Sequence, residues 1–170
     1  MFRRTPASFA ASLIALSAWP ALVHATNGYF SHGYGVNSQA VAGVGVALPQ
    51  DGLTAATNPA GTAWVGDRLD VGANVFVPSR GAEVRGSSFD GDGRKAFLIP
   101  ELGYVRQLDA QTSWGIALYG NGGMNTTYER NPYGAPGKAG VNLEQLFVSP
   151  SVAFRVTPTQ TVGGALNLAY

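Results

Sequence analysis

The side chains able to do chemistry are thinly spread in this sequence and form no reactive set. Cysteine is absent, which removes thiol catalysis, thiolate metal ligands and disulfides. Past residue 25 the only histidine is His32, and a lone imidazole builds no nucleophile–base pair. No serine sits in a Gly-x-Ser-x-Gly turn. Asp90-Gly91-Asp92-Gly93 has the opening spacing of a calcium loop but lacks the remaining ligands and the closing glutamate. No catalytic residue, metal ligand or cofactor is expected, and an enzyme such as a secreted esterase is disfavoured. What remains are residues that shape and steer. In Asn58-Pro59-Ala60 the proline restricts the backbone and the asparagine can bond neighbouring backbone groups. Gly120, Gly122 and Gly123 permit a kink where a strand ends, or simply begin a loop.

These residues sit in an unusual background. Charged side chains make up 12% of the 170 residues, against roughly 25% in soluble domains. No internal run reaches the ~20 apolar residues of a membrane helix. The net charge of +1 gives no electrostatic case for nucleic acid. The N-terminus reads as a secretory leader over 1–25. Arg3 and Arg4 precede an apolar stretch from Phe9 to about Val23, and Val23-His24-Ala25 offers small residues for cleavage after Ala25.

Residues 26–66 are rich in glycine and small apolar residues. Weak helical spacing over Asn37–Ala47 and a short helix over Asp51–Ala56, ending before Asn58-Pro59, predict a compact segment packed inside something; a flexible linker is the alternative. From residue 67 the pattern changes to period two. Five strands are expected: Arg68–Val77, Phe97–Gln107 with a bulge or break at Pro100, Thr112–Gly120, Leu143–Val156 and Thr161–Tyr170. Each is near the length that crosses a bilayer at a tilt. Loops at Ser79–Ala96 and Asn121–Asn142 alternate with tight turns at Leu108–Gln111 and Thr157–Gln160, as extracellular loops alternate with periplasmic turns. The fold class predicted is all-β: a transmembrane antiparallel β-barrel, of which 67–170 is the first, incomplete part of the wall. An open sheet leaves edge groups unpaired in lipid, so the chain is expected to be a piece of a larger barrel.

The residues also resemble a known family. Gly35-Val36-Asn37-Ser38-Gln39-Ala40-Val41-Ala42-Gly43-Val44-Gly45 is similar to the opening of mature FadL/TodX-type outer-membrane transporters of long-chain fatty acids and other hydrophobic compounds. Thr57-Asn58-Pro59-Ala60-Gly61 matches their hatch motif. Ile99–Tyr104, Trp114–Thr126 and Leu143–Ala153 resemble successive wall segments.

The resemblance implies a 14-stranded barrel plugged by an N-terminal hatch at 26–66, in the outer membrane of a Gram-negative bacterium. It implies facilitated diffusion of fatty acids or other hydrophobic small molecules, with exit sideways at a kinked third strand. Asn58, Pro59 and Ala60 would fix the hatch. Phe30, Phe76 and Phe147 are candidate lumenal contacts, or ordinary packing residues. Arg155, expected to face the lumen, would attract a carboxylate or pair within the barrel. Expected partners are outer-membrane lipid, the hydrophobic substrate, periplasmic chaperones and the barrel-assembly machinery, with no nucleic acid. The alternative function is a structural or adhesive surface protein anchored by its barrel.

Overall fold

The computed structural model describes residues 30–170; the expected leader and its cleavage site lie outside them. Residues 30–66 form short helical turns: α1 (Val36–Ala40), a 3-10 turn (Val44–Val46), α2 (Thr54–Thr57), a second 3-10 turn (Pro59–Gly61) and α3 (Thr62–Val65). The single helical stretch expected over 37–47 is broken, because Ala42 and Gly43 both take positive φ (55° and 86°). The following strands are β1 (Arg68–Phe76), β2 (Gly81–Val84), β3 (Ser87–Asp90), β4 (Phe97–Gln107), β5 (Thr112–Tyr128), β6 (Ala139–Thr157), β7 (Gln160–Ala165) and β8 (Leu168–Ala169).

The wall is one antiparallel sheet in the order β1-β4-β5-β6-β7, with β8 also on β6. Period-two patterning fixes its register, since a one-residue slip would turn every side chain over. Val71, Leu102, Leu118, Val148 and Leu168 are successive cross-strand partners, so one apolar row runs across the whole sheet. The opposite face carries small and polar rows: Asp70, Gly103, Ala117 and Ser149 in one, Arg68, Val105, Gly115, Ser151 and Ala165 in another. The helical segment packs on this second face. Leu53 and Ala55 meet Ala117 and Tyr119, with Tyr34, Ala56 and Phe147 against them. Among the described residues no helix packs on the apolar face, and Val71 and Leu98 are 74% and 70% exposed. Large apolar side chains left in water each forgo roughly 1.5–3 kcal/mol, so this face suits hydrocarbon.

The sheet is open: β1 and β7 each pair on one side only. Two expected loops are largely structured. The 79–96 segment folds into the β2–β3 hairpin, turning at Arg85 and Gly86 with φ of 51° and 75°. The 121–142 segment is mostly strand, because β5 runs on to Tyr128 and β6 starts at Ala139. A register shift between Gly120 and Gly123 inserts an extra residue there. It flips the phase of the alternation, which is why the strand looked finished at Gly120. The fifth strand is interrupted at Leu166-Asn167 while keeping its register on β6; Pro150, opposite, has no N–H to donate. In the Leu108–Gln111 turn, the Asp109 carboxylate accepts the Gln111 and Thr112 N–H groups, both at 2.7 Å. Those bonds hold its pKa below the usual carboxylate value.

The closest approach of plug and wall is backbone to backbone. A Cβ on Gly103 would lie 2.3 Å from the Gly52 carbonyl carbon. Gly103→Ala is therefore expected to cost about 1–3 kcal/mol through overpacking. The check is the urea midpoint for loss of the compact, heat-modifiable gel band; an unchanged midpoint would contradict this seating.

Candidate functional site

The helical segment is tied to β1, β4, β5, β6 and β7 by polar contacts. From β1, Asp70 Oδ2 accepts the Gly52 N–H at 2.8 Å and Arg68 donates to the Gln50 carbonyl at 2.9 Å. From β4, Glu101 Oε1 accepts the Gly35 N–H at 3.0 Å and Gln107 donates to the Thr62 carbonyl at 3.0 Å. From β5, Ser113 shares a hydrogen bond with Thr62 at 3.0 Å. From β6, Arg155 donates to the Ala63 carbonyl and lies 4.7 Å over the Trp64 ring. From β7, Thr161 accepts from Trp64 Nε1 at 2.6 Å. Contacts of this kind fix the position of the helical segment on the sheet.

Asn58 Nδ2 donates to the Val46 carbonyl at 2.9 Å, joining the Asn58-Pro59-Ala60 turn to the first 3-10 turn. Pro59 begins the second 3-10 turn, where its fixed φ suits a first helical position. Ala60 lies against β7, where a Cβ on Gly163 would sit 2.5 Å from the Ala60 nitrogen. Asn58, Ala60 and Trp64 line one side of an open cleft of about 510 Å³, with Thr159–Thr161 on the other. Of the aromatic candidates, Phe147 stacks on Tyr119 at 5.6 Å, and Phe76 pairs with Phe97 at 6.3 Å. Phe30 is half exposed at the start of the described chain. Phe76 and Phe147 thus have different aromatic partners. Arg155 is inward-facing and engaged with the plug. Asp90 caps the Asp92 N–H and Asp92 pairs with Arg80, so both carboxylates of the calcium-like fragment have protein partners.

Gly120, Gly122 and Gly123 lie where the wall loses continuity. β4 stays in register with β1 through Pro100 to Phe97, so the break expected at Pro100 is not in that ladder. It lies on the other side of β4. The β4–β5 ladder ends at Glu101↔Tyr119, beside the proline that cannot donate. Just above, the β5–β6 register shifts between Gly120 and Gly123, and Gly122 takes φ 89°. Past that point β5 leaves β4. Its next partner on this side is the strap after the β2–β3 hairpin, where Asp92 bridges to Thr127 and the Gly91 carbonyl accepts the Thr127 N–H. Arg80 fastens the strap to Asp92 and Asn125. Among the described residues, the stretch of β5 between Tyr119 and Thr127 thus has no ladder partner toward β4.

Sequence reasoning singled out neither Tyr34 nor Glu101, which stand beside this break. Glu101 is 3% exposed, and its Oε2 finds no hydrogen-bond donor among the described residues. The signal available was a carboxylate on the small, polar face of a strand. Tyr34 packs on Tyr119 with ring centroids 4.3 Å apart and donates its hydroxyl to Asn121 Oδ1. Burial, and secondarily Tyr119, push its pKa up to about 12. The neutral hydroxyl is thus favoured in the folded state. The resulting stability is complete below the unfolded tyrosine value near 10 and lost as pH rises through about 12. An ultraviolet tyrosinate titration should show a component near 12 that disappears in Tyr34→Phe; its persistence in that variant would reassign it.

A strand wall with one apolar face, a plug bonded across its polar face and a ladder break beside the plug agree with one comparison. Residues 22–170 match the family model described as outer membrane protein transport protein (OMPP1/FadL/TodX). No curated protein and no solved structure matches. The match spans most of the sequence, and the chain belongs to the OMPP1/FadL/TodX family of outer-membrane transport proteins, which are not enzymes.

Proposed function

We propose that this chain carries long-chain fatty acids or other hydrophobic small molecules across the outer membrane by facilitated diffusion, as the wall and hatch of a closed barrel. The observation that carries the reading is the juxtaposition of the plug with the β4–β5 ladder break. Every backbone N–H and C=O left unpaired in hydrocarbon costs several kcal/mol. A wall that leaves such a stretch open beside a polar-tethered plug has a use for it. A solute that has entered the lumen is blocked below by residues 30–66 and leaves sideways, between Pro100 and the Gly120–Gly123 bulge, into the acyl layer. Apolar solutes fit this route because they never return to water on the way out. In this reading the leader over 1–25 delivers the chain to the periplasm, 26–66 is the hatch, and 67–170 is wall.

Asn58 holds two turns of the hatch together through one hydrogen bond, and losing such a bond shifts a conformational equilibrium by about 1 kcal/mol, roughly fivefold. Asn58→Ala in the full-length chain should change the uptake of pyrene into vesicles by about that factor while the heat-modifiable band persists. Uptake identical to the parent would remove the hatch role from this residue. A side chain at Gly120 would meet Ile99 Cγ2 at 2.5 Å and crowd the break. Gly120→Ile is expected to cut pyrene uptake at least tenfold, and full uptake through that variant would sink the sideways route.

A further inference from the structure

Two consecutive plug residues reach opposite sides of the ladder break. The Tyr34 hydroxyl donates to Asn121 on β5, and the Gly35 N–H donates to Glu101 on β4 at 3.0 Å. Glu101 and Tyr119 are the last partners of the β4–β5 ladder, and Tyr119 also carries the Tyr34 ring. We propose that Tyr34-Gly35 is a crossbar, binding both lips of the break from inside, so that the break widens only when the plug lets go and the plug moves only when both lips are released. This rests on the reading that solute leaves through the break, and it adds the residues that couple the break to the plug.

The local backbone is built to present this crossbar. Gly33 and Gly35 flank Tyr34 with φ of 95° and 80°, a conformation that L side chains rarely adopt. A Cβ on Gly35 would also lie 2.8 Å from Leu53 Cδ1. Glycine on each side therefore turns the Tyr34 ring onto Tyr119 and aims the Gly35 N–H at Glu101. On the wall, Gly72 is the β1 partner of Glu101 and brings no side-chain donor to it. Gly35 supplies the one protein hydrogen bond made to the Glu101 carboxylate among the described residues. Moving Gly35 away leaves a buried carboxylate without a donor. That penalty holds the β4 side of the crossbar shut until the break opens enough to admit a replacement partner. On the β5 side the latch is a neutral hydroxyl whose ring lies tilted at 41° against Tyr119, and it can part and re-form without moving charge.

The test uses the full-length chain in vesicles and two kinds of readout. The first is independent of any solute. Met124→Cys places a thiol on β5 where the strand is paired with β6 but not with β4, in a sequence with no native cysteine. Its rate of modification by a membrane-soluble maleimide reports opening. Tyr34→Phe and Asn121→Ala should each speed labelling about fivefold, the factor for one lost hydrogen bond. The two together should do no more than either alone, because they remove the same bond. Unchanged labelling, or effects that multiply, overturns the crossbar. The second readout is pyrene uptake by Tyr34→Cys/Asn121→Cys joined by a bis-methanethiosulfonate cross-linker, which replaces the reach of the tyrosine ring, with cross-linking confirmed by mass. Cross-linking should stop uptake and dithiothreitol restore it. Wild-type uptake by the cross-linked protein, with Gly120→Ile still blocking, refutes the crossbar and leaves the sideways route standing. Free uptake through both variants refutes the route, and the crossbar with it.

Discussion

A sheet in hydrocarbon must pair its backbone, and within the ladders of this one the interruption between β4 and β5 is where the helical segment is fastened to both sides. The apolar row from Val71 to Leu168 depends on strict register, and strict register depends on unbroken ladders. At Pro100 the chain gives up a donor, and twenty residues later the β5–β6 register shifts between Gly120 and Gly123. The two irregularities lie side by side because β4 and β5 are antiparallel neighbours. The strap carrying Gly91 and Asp92 then restores a partner higher up, so the defect is confined between two closed stretches.

The inner face answers a second requirement. A plug can approach a wall closely only where the wall has little to offer sterically, hence Gly103, Gly115, Ala117, Ser149 and Ala153 beneath it. Its attachments are hydrogen bonds scattered over five strands rather than one large apolar core. Each bond is worth about 1 kcal/mol net, so the plug is positioned sharply without being welded. The half-exposed underside of the plug, including Val44, Val46 and Leu48, is consistent with the same economy.

Much of the wall was legible because period-two alternation is a strong local signal. β4 runs over the residues expected, and the inward and outward faces of β5 and β6 below the bulge follow the pattern. The signal failed where one inserted residue inverted its phase, so β5 seemed to stop at Gly120. It also failed where charge masked a hairpin, as at Gly81–Asp90. The plug was legible as a compact segment, but its broken helices follow from positive φ at Ala42 and Gly43, which no periodicity encodes. Arg155 was legible as inward-facing from its neighbours, whereas its partner, the Ala63 carbonyl, lies ninety-two residues away and leaves no trace in local sequence. Tyr34 and Glu101 escaped for the same reason: each is ordinary until the fold brings the other's surroundings to it.

The length of β5 and β6 has its own consequence. Strands of 17 and 19 residues extend roughly 55–65 Å at the usual rise per residue, and even when steeply tilted they outreach an acyl layer of about 30 Å. Their upper ends therefore stand in water as a mast. Toward those ends Asn125 donates to Asn142 at 2.7 Å and Glu144 pairs with Arg94, so polar partners take over from lipid as the strands near the oil line. Below that line a substitution answers to hydrocarbon; above it, the composition of the mast is free to drift with whatever the cell meets outside.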